Sequence, residues 1–334
     1  MRLGLVLSLA VFAVTVRVDA QQAAPERQWR ISICDGYLRG LDAEDIWSAA
    51  KSVGISRLEV YPDRKLACPN LYEKDGAPYR LDTPEARAKL RAKLEAEKMT
   101  IGCLSLPVPL APDQGDEELL AWVRAAAEAA PEVGCRLLMI PLVGRGFSDE
   151  AFVERHIAFA RKLEALAEEA RVQIAIENLS VYWNRKEILD PVLKSVRADR
   201  VGLALDITNM YWYGHPLDML YELADLFAPH VRYVHCKNVK YPEDQRQKQR
   251  EPGWEYGKYA EPIPTGDIDI ARVVETVARA GYVGDLTIED DSLRKFDAAG
   301  KKKAIEDDVA YLTKLCERLN ARRAAGAKAD EKKP

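Results

Sequence analysis

The chain has 334 residues, 48% of them hydrophobic and 31% charged, so it can bury a sizeable core. Its formal net charge is only −4, and without a basic excess a nucleic-acid partner is disfavoured. The length is typical of one barrel of about 250 residues with additions, rather than of a small domain.

The first twenty residues have the features of a signal peptide. Arg2 gives a positive start, residues 3–16 form an apolar run, and Val18 and Ala20 are small residues suited to a cleavage site. The run is short for a membrane span, which needs about 20 apolar residues, and no second run of that length follows. We therefore expect secretion or export to the periplasm, a mature chain that begins near Gln21, and no membrane association after cleavage.

Short apolar runs alternate eight times with longer segments of helical pattern. Most runs are rich in Val, Ile and Leu without strict alternation, as expected of parallel strands that are buried on both faces. The runs are 30–34, 57–61, 100–106, 136–142, 172–177, 201–206, 231–236 and 285–289. Between them, Thr83-Pro84-Glu85 marks one helix start. The pattern predicts an α/β fold, a single-domain (β/α)8 TIM barrel over residues 28–319. An open Rossmann sheet is disfavoured because no Gly-x-Gly-x-x-Gly follows the first run.

Two segments fall outside this alternation. Residues 240–265, rich in Lys, Glu, Gln, Pro and Tyr, are long for a loop, which indicates a functional or a mobile segment. Residues 320–334 are charged and alanine-rich, which predicts a disordered tail.

Several polar or reactive side chains have structural interpretations. Cys34, Cys103 and Cys236 lie in or at the ends of apolar runs, where a small buried thiol is favoured, although export permits disulfides. His156 lies on a charged helix and is expected at its surface. Glu59, inside the second run, could point into the barrel, where an ion pair is favoured over a metal role.

Four of the runs end in residues of the types that bind metals. Glu177, Asp206, His235 and Glu289 each lie at the end of such a run or one residue before it. A spacing of 29 residues separates Glu177 from Asp206, and again Asp206 from His235, which corresponds to one strand and one helix. The four side chains should therefore meet at the C-terminal rim of the barrel, where barrel active sites lie.

The residue types indicate one divalent cation. Three crowded carboxylates repel one another, and burial disfavours their ionised forms, so a cation is needed to hold them together. One histidine completes a mixed oxygen and nitrogen shell that suits Mn²⁺, Mg²⁺, Co²⁺ or Zn²⁺. The alternative is a set of salt bridges at the barrel mouth, for instance with Lys237 or Arg145.

The chain from about residue 30 to 318 resembles the xylose isomerase-like TIM barrel superfamily, specifically its sugar phosphate isomerase/epimerase branch. The matching stretches are Ile176-Glu177-Asn178, Leu205-Asp206-Ile207-Thr208-Asn209, Val234-His235-Cys236-Lys237-Asn238, Gly266-Asp267-Ile268-Asp269 and Gly281-Tyr282-Val283-Gly284-Asp285-Leu286-Thr287-Ile288-Glu289.

The resemblance implies a metal-dependent sugar isomerase or epimerase. It implies one metal on Glu177, Asp206, His235 and Glu289, with Glu177 and Glu289 also flanking the substrate as an acid–base pair. The implied reaction moves a proton beside a carbonyl through an enediolate, although a hydride-shift variant exists in the wider superfamily.

Five further residues are candidates for substrate binding, each with a structural alternative. Lys237 could bind a substrate oxygen or form a rim salt bridge with Asp206 or Glu289. Asn209 could contact sugar or metal-bound water, whereas Asn178 could equally satisfy local backbone groups. Arg145 could bind an anionic group, and Trp254 could stack on a sugar or seal the loop layer.

Three other functions remain to be weighed. A metal-dependent lyase or hydrolase of oxidised (3-keto) sugars, glycosides or inositols would use the same metal and the same acid–base pair. An endonuclease-like phosphodiesterase would need several extra histidines, and the chain has four. A sugar-binding protein without turnover would not need both glutamates. The expected partner is a small-molecule sugar substrate, and the sequence leaves a homo-oligomer open.

Overall fold

Eight parallel strands form the centre of the molecule, and the computed structural model describes residues 28–72, 76–111 and 115–330. The strands are β1 Arg30–Cys34, β2 Arg57–Val60, β3 Thr100–Ser105, β4 Leu137–Gly144, β5 Gln173–Glu177, β6 Val201–Asp206, β7 Val231–Cys236 and β8 Asp285–Ile288. Each pairs with the next along the chain, and β8 returns to pair with β1, where Arg30 lies opposite Asp285. The sheet is therefore closed, and the predicted (β/α)8 barrel is confirmed. The predicted signal peptide lies outside the described residues.

Eight helices surround the barrel. They are α1 Ile46–Ser52, α2 Pro84–Glu97, α3 Glu117–Ala129, α4 Asp149–Ala170, α5 Lys186–Lys194, α6 Leu217–Phe227, α7 Ile270–Arg279 and α8 Ala298–Asp330. At the predicted start of α2, the Thr83 hydroxyl accepts a hydrogen bond from the Ala86 amide, and Pro84 occupies the first turn. None of the described helices is both long enough and apolar enough to cross a membrane.

The interior of the barrel is packed with side chains. A separate apolar cluster fills it, made of Cys103, Met139, Ala175, Ala204 and Tyr233. All six cysteines are buried free thiols, which agrees with the interpretation of Cys34, Cys103 and Cys236 as small core residues.

The last helix extends further than the sequence analysis predicts. Residues 320–330 continue α8 instead of forming a disordered tail, and residues 331–334 lie outside the description. Ala and Arg dominate this segment, and both are strong helix formers. The Asn320 side chain also exchanges two hydrogen bonds with the backbone of Trp29, at 2.9 and 3.0 Å, and so ties the helix to the start of β1.

The segment between β7 and α7 packs over the C-terminal rim. Asn238–Val239 pairs antiparallel with Ala260–Glu261, and a short helix spans Tyr256–Tyr259. The buried Arg250 guanidinium lies 4.4 and 4.2 Å from the ring centres of Tyr211 and Tyr241. These contacts fix the segment against the barrel.

Shorter elements complete the rim. Ala67–Tyr72 and Pro78–Arg80 form a hairpin, and Val108–Leu110 extends the pairing of β4. Short helices at Ser180–Trp183 and Ile207–Tyr213 follow β5 and β6 directly.

His156 is buried, which corrects its expected surface position. It follows Phe152 by one helical turn on the inner stripe of α4, and its ring stacks on that of Phe152 with centroids 3.7 Å apart. Its Nδ1 donates to the Phe152 carbonyl oxygen at 2.7 Å. Burial lowers the pKa of His156 to about 4, so the ring stays neutral in the folded protein.

This buried imidazole predicts a pH-dependent loss of stability. Below pH 6.5, the ordinary pKa of histidine, His156 binds a proton in the unfolded chain but remains unprotonated in the folded chain. The free energy of unfolding therefore falls as the pH is lowered from about 6.5 to 4. The contribution is on the order of 3 kcal/mol by pH 4. In urea unfolding measured between pH 7.5 and 4, His156→Phe should lose less stability than the parent. Parallel curves for the two proteins would contradict the assignment.

Candidate metal centre

Four strand ends bring Glu177, Asp206, His235 and Glu289 together. Glu177 and Asp206 are the last residues of β5 and β6, His235 is the penultimate residue of β7, and Glu289 directly follows β8. One ligand-type atom from each lies within 4.8 Å of the others. Strand register explains the convergence, because His235 lies opposite Asp206 on one side and Thr287 on the other. The side chains therefore project from the same rim of the barrel.

Asp206 is fixed by the helix that follows it. Its Oδ1 accepts hydrogen bonds from the amides of Thr208 at 2.9 Å and Asn209 at 3.1 Å, so it caps the short helix. Its Oδ2 points the other way, and no described residue donates it a well-formed hydrogen bond. Burial raises the pKa of Asp206 to about 7, although the nearby Lys237 opposes this shift.

His235 is oriented from behind by Glu59. Glu59 lies in β2 and is fully buried, and its Oε2 is 2.8 Å from His235 Nε2. The ion-pair interpretation of Glu59 therefore agrees with its position. The contact leaves His235 Nδ1 facing Glu289 Oε2 at 3.0 Å and Glu177 Oε1 at 3.6 Å. A carboxylate behind an imidazole fixes the ring as a metal ligand needs.

Lys237 lies among the carboxylates. Its Nζ is 2.8 Å from Asp206 Oδ2 and 3.0 Å from Glu289 Oε2, so the salt-bridge alternative for this residue is realised with both partners. Burial raises the pKa of Glu289, but the attraction of Lys237 and His235 outweighs it and holds that pKa below its usual range. Glu289 is therefore kept ionised.

The donor set fits a divalent cation. Asp206 Oδ2 and His235 Nδ1 are buried and make no well-formed hydrogen bond among the described residues, although Lys237 Nζ lies 2.8 Å from the first and Glu289 Oε2 3.0 Å from the second. Both atoms belong to the converging set and could serve as ligands. Three carboxylates and one imidazole would supply a mixed oxygen and nitrogen shell of the kind that Mg²⁺, Mn²⁺, Co²⁺ or Zn²⁺ accepts.

The two asparagines have different positions. Asn209 Nδ2 lies 3.2 Å from Glu177 Oε1, so this residue orients the glutamate and also lines the cavity above it. Asn178 is fully buried, and its side chain bonds the backbone amide and carbonyl of Asp206, each at 2.8 Å. Its amide group also donates to Asn184 Oδ1. The structure thus places Asn178 behind the site, as a clamp between β5 and β6.

A cavity of about 410 Å³ opens above the centre. Three aromatic side chains and several polar or charged groups line its wall, a combination that suits a small polyhydroxylated molecule. The lining includes Tyr37, Asn209, Trp212, Lys237, Tyr256 and Glu289. Arg145 is exposed, and Trp254 packs against Tyr241 and Tyr259, so neither contributes to this wall.

Asp291 organises the cavity mouth, and the sequence analysis missed it. Its carboxylate accepts hydrogen bonds from the hydroxyls of Tyr37 at 3.0 Å and Tyr256 at 2.8 Å. The Asp291 carboxylate also lies 3.7 Å from Lys237 Nζ and 3.4 Å from a guanidinium nitrogen of Arg294. Asp291 stands two residues after Glu289, and that spacing, together with the position of Tyr37 just beyond β1, was the available signal.

The family assignment follows from a sequence-family model. The model described as xylose isomerase-like TIM barrel matches residues 47–315, most of the chain. The chain belongs to the xylose isomerase-like TIM barrel family. Curated protein sequences, in contrast, give no match.

Solved structures of low sequence identity share the fold. A xylose isomerase-like TIM barrel protein from Mycobacterium smegmatis in complex with magnesium has a TM-score of 0.62 at 14% identity, covering 87% of this chain and 97% of that one. A sugar phosphate isomerase/epimerase from Parabacteroides distasonis has a TM-score of 0.56 at 16% identity, covering 91% and 99%. The probable 3-DHS dehydratase AsbF from Bacillus anthracis has a TM-score of 0.59 at 13% identity, covering 85% and 98%.

Proposed function

We propose that this protein is a divalent-metal-dependent sugar isomerase or epimerase that moves a proton beside a carbonyl. The observation that carries the proposal is the convergence of Glu177, Asp206, His235 and Glu289 beneath a cavity lined by aromatic and charged side chains. The likeness to a magnesium complex and to a sugar phosphate isomerase/epimerase supports the metal and the reaction class.

The acid–base steps belong to the two glutamates. Glu289 lines the cavity and is held ionised, so it is placed to take a proton from a substrate carbon. Glu177 lies deeper, 4% exposed and oriented by Asn209, and it would return the proton. A bound cation supplies the polarisation of the carbonyl and neighbouring hydroxyl oxygens that makes the carbon acidic.

Lys237 would assist proton transfer through the contacts that its position provides. It contacts both Asp206 and Glu289, and it also reaches the cavity wall. Its ammonium keeps Glu289 ionised before proton transfer and offers a hydrogen bond to a substrate oxygen that carries developing charge.

The cavity favours a free sugar over a phosphorylated one. Arg294 is the guanidinium group at its wall, with its side chain 81% exposed, and Asp291 lies 3.4 Å away. Such an exposed and partly neutralised charge makes a weak phosphate site.

A lyase acting on oxidised sugars is the second candidate. The likeness to a 3-DHS dehydratase favours it, because β-elimination also begins with removal of a proton beside a carbonyl. The cavity also holds the Tyr256 hydroxyl, bonded to Asp291, as a group that could protonate a departing hydroxyl.

One experiment tests both candidates. The purified protein, with its metal content measured, is incubated in deuterated water with free keto-sugars, aldoses and 3-keto-glycosides and followed by NMR. We expect deuterium incorporation next to the carbonyl together with an isomerised product. An unsaturated, ultraviolet-absorbing product would identify the protein as a lyase instead of an isomerase. Metal-loaded protein that exchanges no substrate proton would contradict the proton-transfer mechanism for these substrates.

A further inference from the structure

A second cavity lies at the opposite end of the barrel. It has a volume of about 330 Å³ and is lined by residues at the starts of the strands; we call it the basal cavity. Its polar lining includes Arg30, Arg57, Arg136, Gln173, Arg232 and Asp285. Neither the metal centre nor the proposed reaction uses any of these residues.

The basal cavity has an excess of positive charge. Asp285 is the one carboxylate among its described lining residues, and Arg57 Nε holds both of its oxygens at 2.8 and 2.7 Å. In the described part of the chain, Arg30 and Arg136 form no ion pair with a carboxylate. Two guanidinium groups at the mouth of a concave site therefore lack an anion.

The cavity is also held open by its backbone. Gly102 lies at its floor, and a Cβ there would come within 2.4 Å of Asp285 Oδ2 and 2.9 Å of Arg57 Nε. Any other residue would displace the ion pair. Arg232 is held by the carbonyl oxygens of Ala198 and Pro229, so its side chain is already ordered. A preordered wall lowers the entropy cost of binding a ligand.

We propose that the basal cavity binds a small polyvalent anion, a phosphate group or a dicarboxylate. Both ligands present several oxygens that accept paired hydrogen bonds from guanidinium groups. The Gln173 amide adds a neutral donor on the same wall. Because seven of the eight strands contribute a residue to this cavity, the anion would tie them together and stabilise the folded barrel by mass action.

Calorimetric and thermal titration tests the proposal, with inorganic phosphate and succinate as separate probes. The protein is titrated as purified and again after metal removal by chelation. Anion binding to a metal at the opposite rim would disappear after chelation and is thereby distinguished from binding in the basal cavity. We expect saturable binding that survives metal removal and raises the unfolding temperature. Saturation by one probe alone identifies which anion chemistry the cavity takes.

Variants locate the site. Arg30→Gln/Arg136→Gln should weaken binding at least about tenfold, the usual scale for losing a charge-assisted hydrogen bond. Arg136→Gln alone, at an exposed position, keeps the test valid if the double variant is unstable. Arg91→Gln, an exposed arginine on α2 paired with Glu95, is the matched control and should bind as the parent does. Absence of saturable binding by both probes, or equal binding by the parent and the arginine variants, would overturn the proposal.

Discussion

Glu289→Gln and Glu177→Gln are each expected to lower turnover at least about 10²-fold, the scale for losing a general acid or base. Glutamine keeps the shape of the side chain but cannot accept the proton. Glu289 should be the more sensitive position in the exchange step, since it lines the cavity and is held ionised by Lys237 and His235. Turnover and exchange of the substrate's α-proton with deuterated solvent are the measurements.

Metal content must be measured for each variant, because both glutamates also belong to the candidate ligand set. The decisive result is a variant that retains its metal and loses proton exchange. Full activity in either variant would remove that residue from the acid–base pair. Turnover without solvent deuterium in the product would favour a hydride shift or a proton shielded from solvent.

The barrel could be predicted because its strands have a simple sequence signature. Strands buried on both faces must be apolar throughout, and the run at 201–206 coincides with β6. The packed surface of α4 was harder to read. His156 is a polar residue, yet its spacing from Phe152 places it on the inner stripe of the helix. There, stacking on the Phe152 ring outweighs the cost of burying the polar imidazole.

The convergence of side chains at the candidate metal centre was predictable for a related reason. Residues that end neighbouring parallel strands meet at one rim, so the positions of Asp206 and His235 follow from sequence spacing. For residues that reach the rim from loops, the sequence spacing does not fix the position. Tyr256 reaches Asp291 from the long segment after β7, and only the folded path of that segment brings them together. Arg145, in contrast, follows β4 on the correct rim and still remains exposed.

Glu59 lies behind the centre and provides the second large expected effect. It contacts His235 Nε2 at 2.8 Å, on the far side of the ring from the converging carboxylates. Its charge orients the imidazole and raises the basicity of the nitrogen that faces the site, and partners of this kind typically change metal affinity 10- to 100-fold. Glu59→Gln retains a hydrogen-bond acceptor for Nε2 but removes the charge. We expect a loss of metal affinity within that range.

The measurement is direct titration of the metal-free protein with Mn²⁺ or Zn²⁺, which requires no knowledge of the substrate. Asp116→Asn is the matched control, because Asp116 is also a buried carboxylate but pairs with Arg155 in the helix layer, away from the site. Its unfolding temperature should fall, whereas its metal affinity should equal that of the parent. If Glu59→Gln behaved in the same way, with lower stability and unchanged affinity in the folded protein, Glu59 would be a core ion-pair partner and nothing more. A loss of metal affinity in Glu59→Gln protein that is still folded instead assigns Glu59 to the positioning of His235. A purely structural defect would lower the unfolding temperature and leave the metal affinity of the folded protein unchanged.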